Sequence, residues 1–216
     1  MIELTYFCPA MDKKEEKIIV GARDLFMKYG IKSLNMDDIA RQLSISKKTL
    51  YQIVSDKNDL VDRAFAHVIE DECCRVKDVA DKGLNAIDEL FEVSKVIVQM
   101  LSQIHPSIHF DMVKFHPEVF KNRQSQQQEM VYDIMHQNLE KGKKEGLYRE
   151  DLKSHIIAKI YIARMDMFFD GETFPPHETN FQEVYMESFR YHIRGIASDK
   201  GVEYLVKKVK NQQESQ

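Results

Sequence analysis

The sequence predicts an all-α protein, and three observations carry that reading. Only 8 glycines and 5 prolines stand in 216 residues, too few for the turns of a β-sandwich or barrel. Apolar residues recur at three- and four-residue spacing along nearly the whole chain, the period of a helix with a buried face. The breaks between these stripes fall at capping residues and prolines, where helices start and stop.

The first stripe is Ile18, Ala22, Leu25 and Tyr29, with Ile19 and Phe26 beside it, and it closes at Gly30, the usual left-handed cap. A short helix over 36–43 follows. Asn35 is its N-cap and Asp38 stands three residues on, a variant of the capping box. Ser46 caps a second short helix over 47–54, and Asp56 opens a long one reaching about Ala80. Further helices are expected near 85–104, 108–114, 118–144, 152–169, 179–197 and 201–210. Pro106, Pro117 and the Phe174-Pro175-Pro176 run mark breaks between them.

Hydrophobic residues make up 43% of the chain and charged residues 31%, a balance that builds a core and excludes disorder throughout. The length fits one domain or a weakly bipartite unit. No run approaches the roughly 18 apolar residues of a membrane span. The opening MIELTYFCPAMDKKEE puts its charges after the apolar stretch, the reverse of a signal peptide. Three cysteines, two of them adjacent at Cys73 and Cys74, form no disulfide framework and fit a reducing cytosol. The expectation is a cytoplasmic protein without contact to a membrane. The formal charge is −4, which gives no general affinity for nucleic acid. Ten basic and eight acidic side chains in 12–60 nevertheless make a mildly basic head on an acidic body.

From Asn35 to Leu60 the pattern is two short helices with a tight connection, then a longer supporting helix: a helix-turn-helix. In the second short helix Leu50 and Val54, four apart, pack inward. Lys47 with Tyr51, and Lys48 with Gln52, share the outer surface. Lysines reach phosphates or guanine edges, glutamine pairs with adenine, and threonine or tyrosine touches phosphate or a thymine methyl. Lys57, in the first turn of the next helix, is expected beside amides that attract phosphate. A solvated helix with two lysines would show the same spacing.

The run DDIARQLSISKKTLYQIVSDKNDL over 37–60 resembles the signature of the tetracycline-repressor (TetR) family of bacterial transcription regulators, as does its preamble from Tyr29-Gly30 to Asn35-Met36. The matching positions are Asp38-Ile39-Ala40, Ile45, Ser46-Lys47, Thr49-Leu50-Tyr51, Lys57 and Leu60. The phrase Lys144-Glu145-Gly146-Leu147-Tyr148 is similar to a helix-to-helix turn common in the family. The chain departs from the pattern at Ser44 and Lys48, where glycine is frequent, and at Ile53 and Val54, which replace an aromatic pair. The resemblance implies DNA contact through Asn35, Ser46, Lys47, Lys48, Thr49, Tyr51, Gln52 and Lys57. It also implies a helix-turn-helix domain at 12–60 and an effector-binding and dimerisation domain at 61–210. The implied partners are a palindromic double-stranded DNA operator, a small-molecule effector, largely apolar, and a second copy of the chain. The last two long helices, about 152–169 and 179–197, would pair with their mates.

The residues agree with a dimer. Over 152–169 one stripe holds Ile156, Ile160, Ala163 and Met167 and another holds Ile157, Tyr161 and Phe168. A helix apolar on two sides needs two partners, although a core helix in a monomer would read the same. On 179–197 the stripe is Phe181, Tyr185, Phe189, His192 and Ile196. The 11 methionines and 12 phenylalanines suit an adaptable interior. Candidates for effector contact at helical spacing are Phe91, Met100, Phe110, Phe115, Met135 and Met165, each of which also reads as plain core. His105, His109 and His116 cluster around Pro106 and Pro117. They open an alternative, a helical metal- or ligand-binding protein or enzyme without DNA binding. Pro106 interrupts that helix, however, and no carboxylate pair completes a site. Cys73-Cys74 beside Arg75 and Lys77 could sense redox state or simply fill a core. No phosphate loop, catalytic triad spacing or paired catalytic carboxylates occur, so neither a cofactor nor catalysis is expected.

Overall fold

The computed structural model describes residues 12–105, 107–170, 172–175 and 177–214. Ten α-helices stand among them: α1 Lys13–Tyr29, α2 Met36–Gln42, α3 Lys47–Tyr51, α4 Lys57–Ala80, α5 Ala86–Leu101, α6 Ile108–Phe115, α7 Pro117–Lys144, α8 Ser154–Ala163, α9 Phe181–Ile196 and α10 Asp199–Glu214. A 3₁₀ turn at Asp166–Phe169 follows α8. The described residues contain no strand; a single antiparallel bridge joins Tyr148 to Ala197. The all-α expectation holds.

Local chemistry sets most boundaries. Asn35 accepts from the amides of Asp37 and Asp38 while Asp38 accepts from the Asn35 amide, so the capping box at α2 is complete. Asn85 and Asn180 cap α5 and α9 through their side chains. Pro117 opens α7 instead of merely separating two helices, since the first helical position needs no N–H. Three expectations change. Gly30 lies at φ +79°, ψ 157°, a conformation kept for glycine but not the left-handed helical cap. Helix α3 stops at Tyr51, three residues early. The stretch 152–169 is not one helix: α8 ends at Ala163 and the chain tightens into the 3₁₀ turn. Pro106 and Pro176 lie outside the described residues.

The chain forms two compact units. The first takes the described residues up to Arg75 together with Gln103–Gln127, and the second Val76–Ser102 with the described residues from Gln128 on. In the first, Ile19, Ala22 and Phe26 of α1, Ile39 and Ala40 of α2, Leu50 of α3, Leu60, Val61 and Ala64 of α4, and Ile108 and Met112 of α6 make one buried core. The second is built on Ala86, Ile87 and Leu90 of α5, Met135 and Leu139 of α7, Ala158 of α8, and Phe189, Ile193 and Ile196 of α9. Tyr148 belongs to it. Its hydroxyl lies 3.0 Å from the Ala86 carbonyl oxygen and 3.0 Å from Asn138 Oδ1, so a buried phenol finds its partners. Gly146, at φ +69°, lets the chain reverse there.

Candidate nucleic-acid interface

The turn between α2 and α3 is closed by backbone bonds, Ser44 N–H to Arg41 O at 3.1 Å and Ile45 N–H to Ala40 O at 3.0 Å. Ser44 stands at φ 56°, which accounts physically for the glycine common at that place in the resembling pattern. Ser46 then caps α3, its Oγ accepting from the Thr49 amide at 3.0 Å. Leu50 and Val54 are buried behind the helix as expected. Lys47, Lys48, Tyr51 and Gln52 are exposed on its front, and Thr49 is half-buried.

That front carries two positive charges, an amide and a phenol over five to six residues, held by an apolar back. It can donate to phosphates, read a base edge and press a ring against a sugar or thymine methyl. The polar groups already have local partners that DNA would extend or replace. Lys47 Nζ bonds Asp37 at 2.9 Å, and this hydrogen bond to the carboxylate holds its amine charged above the ordinary lysine range. The hydroxyls of Ser46 and Thr49 lie 2.8 Å apart. Asn35 is engaged as the α2 cap.

Lys57 is held differently from the expectation of a free phosphate donor. Its Nζ points into the turn between α1 and α2, donating to Ile31 O at 2.7 Å and Leu34 O at 2.6 Å. Burial lowers the pKa of its amine, with Asp111 opposing. The same turn is gripped through its amides by Asp111 of α6, whose Oδ2 accepts from Ile31 N–H and Lys32 N–H at 3.0 Å each and from Ser107 Oγ at 3.1 Å. His105 N–H donates to Met27 O at 2.9 Å. His116 Nδ1 lies 2.5 Å from Asn58 Oδ1. His105, Ser107, Asp111 and His116 therefore brace the helix-turn-helix, which no spacing within 35–60 signals.

The proposed effector residues are divided between the two units. Phe91 and Met135 lie in the second unit's core, Phe91 edge-on to Phe189 at 5.2 Å. Met100 and Met165 are half-buried in the same unit. Phe110 is 56% exposed and Phe115 is exposed too, both in the first unit. Lys114 lies over both rings and Lys32 over Phe115. The three histidines diverge: His105 bonds Ser107, His109 packs edge-on against Phe120, and His116 faces Asn58. Among the described residues no group of three His, Cys, Asp or Glu side chains could hold a metal ion. Cys73 is buried and Cys74 exposed. No helix among the described residues is long and apolar enough to cross a membrane.

Residues 18–64 match the family model of bacterial regulatory proteins of the tetR family. No curated protein matches the sequence. Among solved structures, the chain is similar to a transcriptional regulator from Cytophaga hutchinsonii, 15% identical over 87% of this chain and 100% of that one, with a TM-score of 0.70. It is also similar to a TetR-family transcriptional regulator from Streptomyces coelicolor, at 15% identity, 86% and 97% coverage and a TM-score of 0.64. A ketosteroid transcriptional regulator of Mycobacterium tuberculosis is 20% identical over 88% and 97%, with a TM-score of 0.51. At these identities the structures show a shared fold.

Proposed function

We propose that this chain, a DNA-binding regulator carrying the tetR-family domain at residues 18–64, is a repressor that binds a two-fold symmetric operator as a homodimer and answers to a small-molecule effector. The observation that carries the reading is α3: Leu50 and Val54 buried behind it, and Lys47, Lys48, Tyr51 and Gln52 exposed in front. In the division of labour we propose, 12–60 reads DNA and 61–210 binds effector and dimerises.

The dimer is supported by the two stripes of α8. Ile157 and Tyr161 pack into the second unit's core. Ile156 and Ile160 stay exposed, Ile160 at 52%, and Met167 of the following turn is exposed as well. On α9, Tyr191 is 80% exposed. Aligned exposed apolar side chains at helical spacing are what a helix-to-helix interface consumes. The effector role is supported by the methionine- and phenylalanine-rich body, which repacks around different shapes. By linkage, an effector shifts DNA affinity only by its differential affinity for the two conformations, typically about 1–3 kcal/mol.

Genomic fragments captured by the purified protein, followed by footprinting and light scattering, test this. A protected palindrome with half-sites about one helical turn or more apart, bound by a dimer, is the expected result. A monomer at micromolar concentration that shifts no genomic fragment would remove the reading. No metal dependence is expected, and metal analysis of the purified protein separates this reading from a histidine-centred alternative.

A further inference from the structure

The seam between α8, with the turn that follows it, and α9 carries buried polar nitrogens that no described residue satisfies. Three contacts pair α8 and the turn that follows it antiparallel with α9. The Tyr161 and His192 rings meet edge-on at 4.9 Å, Arg164 Nη1 reaches Ser188 O at 3.5 Å, and Phe168 meets Tyr185 edge-on at 6.1 Å. Arg164 thus sits one layer deep in the seam, with an aromatic layer on either side. Among the described residues its Nε and His192 Nε2 find no hydrogen-bond partner, and both atoms are buried; His192 as a whole is 7% exposed. Arg164 makes no ion pair with any described side chain. Its guanidinium lies 5.1 Å over the Tyr161 ring, a contact that softens but does not neutralise the charge.

Such an arrangement is costly as it stands. An arginine cannot shed its proton, and a buried donor without a partner loses its hydration for nothing in return. His192 responds in the expected direction: burial, with Arg164 nearby, pushes its pKa down to about 3. A neutral imidazole can still donate from Nε2. Two donors beside one uncompensated positive charge ask for a planar group with two acceptor oxygens and one negative charge.

We propose that the α8–α9 seam binds a small molecule through its carboxylate, one oxygen accepting from Arg164 Nε–H and the other from His192 Nε2–H, with the carbon skeleton against Tyr161, Phe168 and Tyr185. The effector class that follows is an apolar carboxylic acid. This deepens the effector reading and rests on it, but the site can be tested apart from DNA.

Full-length protein is titrated calorimetrically with octanoate and 3-phenylpropionate, and with their primary amides, which keep shape and hydrogen bonding but lack the charge. The acids are expected to bind about tenfold or more tightly than the amides, and Arg164→Met to remove that preference. His192→Leu should weaken the acids in the same direction, while His192→Asn, which keeps a donor, should recover part of the loss. Without ligand, Arg164→Met should melt higher than the parent, because a half-buried charge with an unsatisfied Nε is gone. No binding of either acid, equal binding of acid and amide, or an unaltered preference in Arg164→Met overturns the proposal. Conversion of Arg164→Met to a monomer that never responded to acids also overturns it, and assigns the cation to a carboxylate of a second copy. Operator affinity measured on the same samples separates the two readings. Acid binding that leaves DNA affinity unchanged keeps the site and removes the effector role.

Discussion

Asp111 Oδ2 stands 3.0 Å from the backbone nitrogen of Ile31, eighty residues earlier in the chain. Across the same turn, Lys57 Nζ holds the carbonyl of Ile31 at 2.7 Å. One residue of the α1–α2 turn is therefore gripped at its N–H by an acid from α6 and at its C=O by an amine from α4. The turn sets where α2 begins, and α2 with its cap sets where α3 can lie. The placement of α3 thus depends on two side chains outside it, one of which, Asp111, is distant in sequence.

Asp111 is 4% exposed and accepts three hydrogen bonds, so its removal strands two backbone amides. Asp111→Ala is expected to cost about 2–4 kcal/mol in urea unfolding, and Asp111→Asn, which keeps one acceptor oxygen, roughly half of that. Operator affinity should fall in the same order. An Asp111→Ala protein of unchanged stability would show that the turn does not depend on the Asp111 hydrogen bonds.

Lys57 and Lys48 should separate in their salt dependence. Lys57→Met removes a clamp whose nitrogen already serves two carbonyls, so it should lower stability and weaken DNA binding without changing the slope of log affinity against log salt. Lys48→Ala removes an exposed cation from the front of α3 and, if that cation meets a phosphate, should flatten the slope by about 0.9. A base-edge contact would instead relax preference at one position by roughly 1–3 kcal/mol. Fluorescence anisotropy at four salt concentrations reads both variants.

Much of this was legible in the residues, and where it was not the reason is physical. The Asn35 capping box, the Ser46 cap and the inward Leu50 and Val54 are local, fixed by neighbours within four positions. The orientation of Lys57 was not legible, because the carbonyls it serves lie 23 and 26 residues away. Asp111 carries no local signal for the same reason, since the amides it accepts from lie 80 and 79 residues away. Phe110 and Phe115 share a helical period with core residues, yet period alone cannot say whether anything covers a face. Arg164 and His192 stand on different elements, and only the antiparallel register of those elements brings them to one seam.

Glu72 of α4 is 5% exposed and accepts from Gln127 Nε2 at 3.2 Å. Burial pushes its pKa from 4.5 up to about 7. An acid that holds its proton more tightly when folded favours the folded state below pH 4.5, and that contribution is lost as pH rises through 7. Over this window Glu72 should subtract about 3 kcal/mol. Glu72→Gln carries no such titration. The difference between the two proteins in urea unfolding should therefore grow from pH 4.5 to 8 in favour of the glutamine. A flat difference would mean that Glu72 is ionised throughout.

Gly142 and Tyr148 make the last case, in which a missing side chain is as informative as a present one. A Cβ on Gly142 would overlap the ring carbons of Tyr148. That ring is 1% exposed and its hydroxyl is tied to Ala86 O and Asn138 Oδ1, so it cannot swing aside cheaply. The amides of Leu147 and Tyr148 both return to the Gly142 carbonyl, at 2.9 and 3.0 Å, which fixes the backbone at the same point. Gly142→Ala would gain helix propensity of about 1 kcal/mol anywhere else in α7, yet here it should lose about 2–4 kcal/mol through overpacking and a displaced phenol. The sign depends on Tyr148 alone, which a double-mutant cycle tests. In a Tyr148→Ala background, already destabilised by the cavity, Gly142→Ala should become neutral or stabilising. A penalty of equal size in both backgrounds would place the constraint in the backbone of the turn and not in the ring.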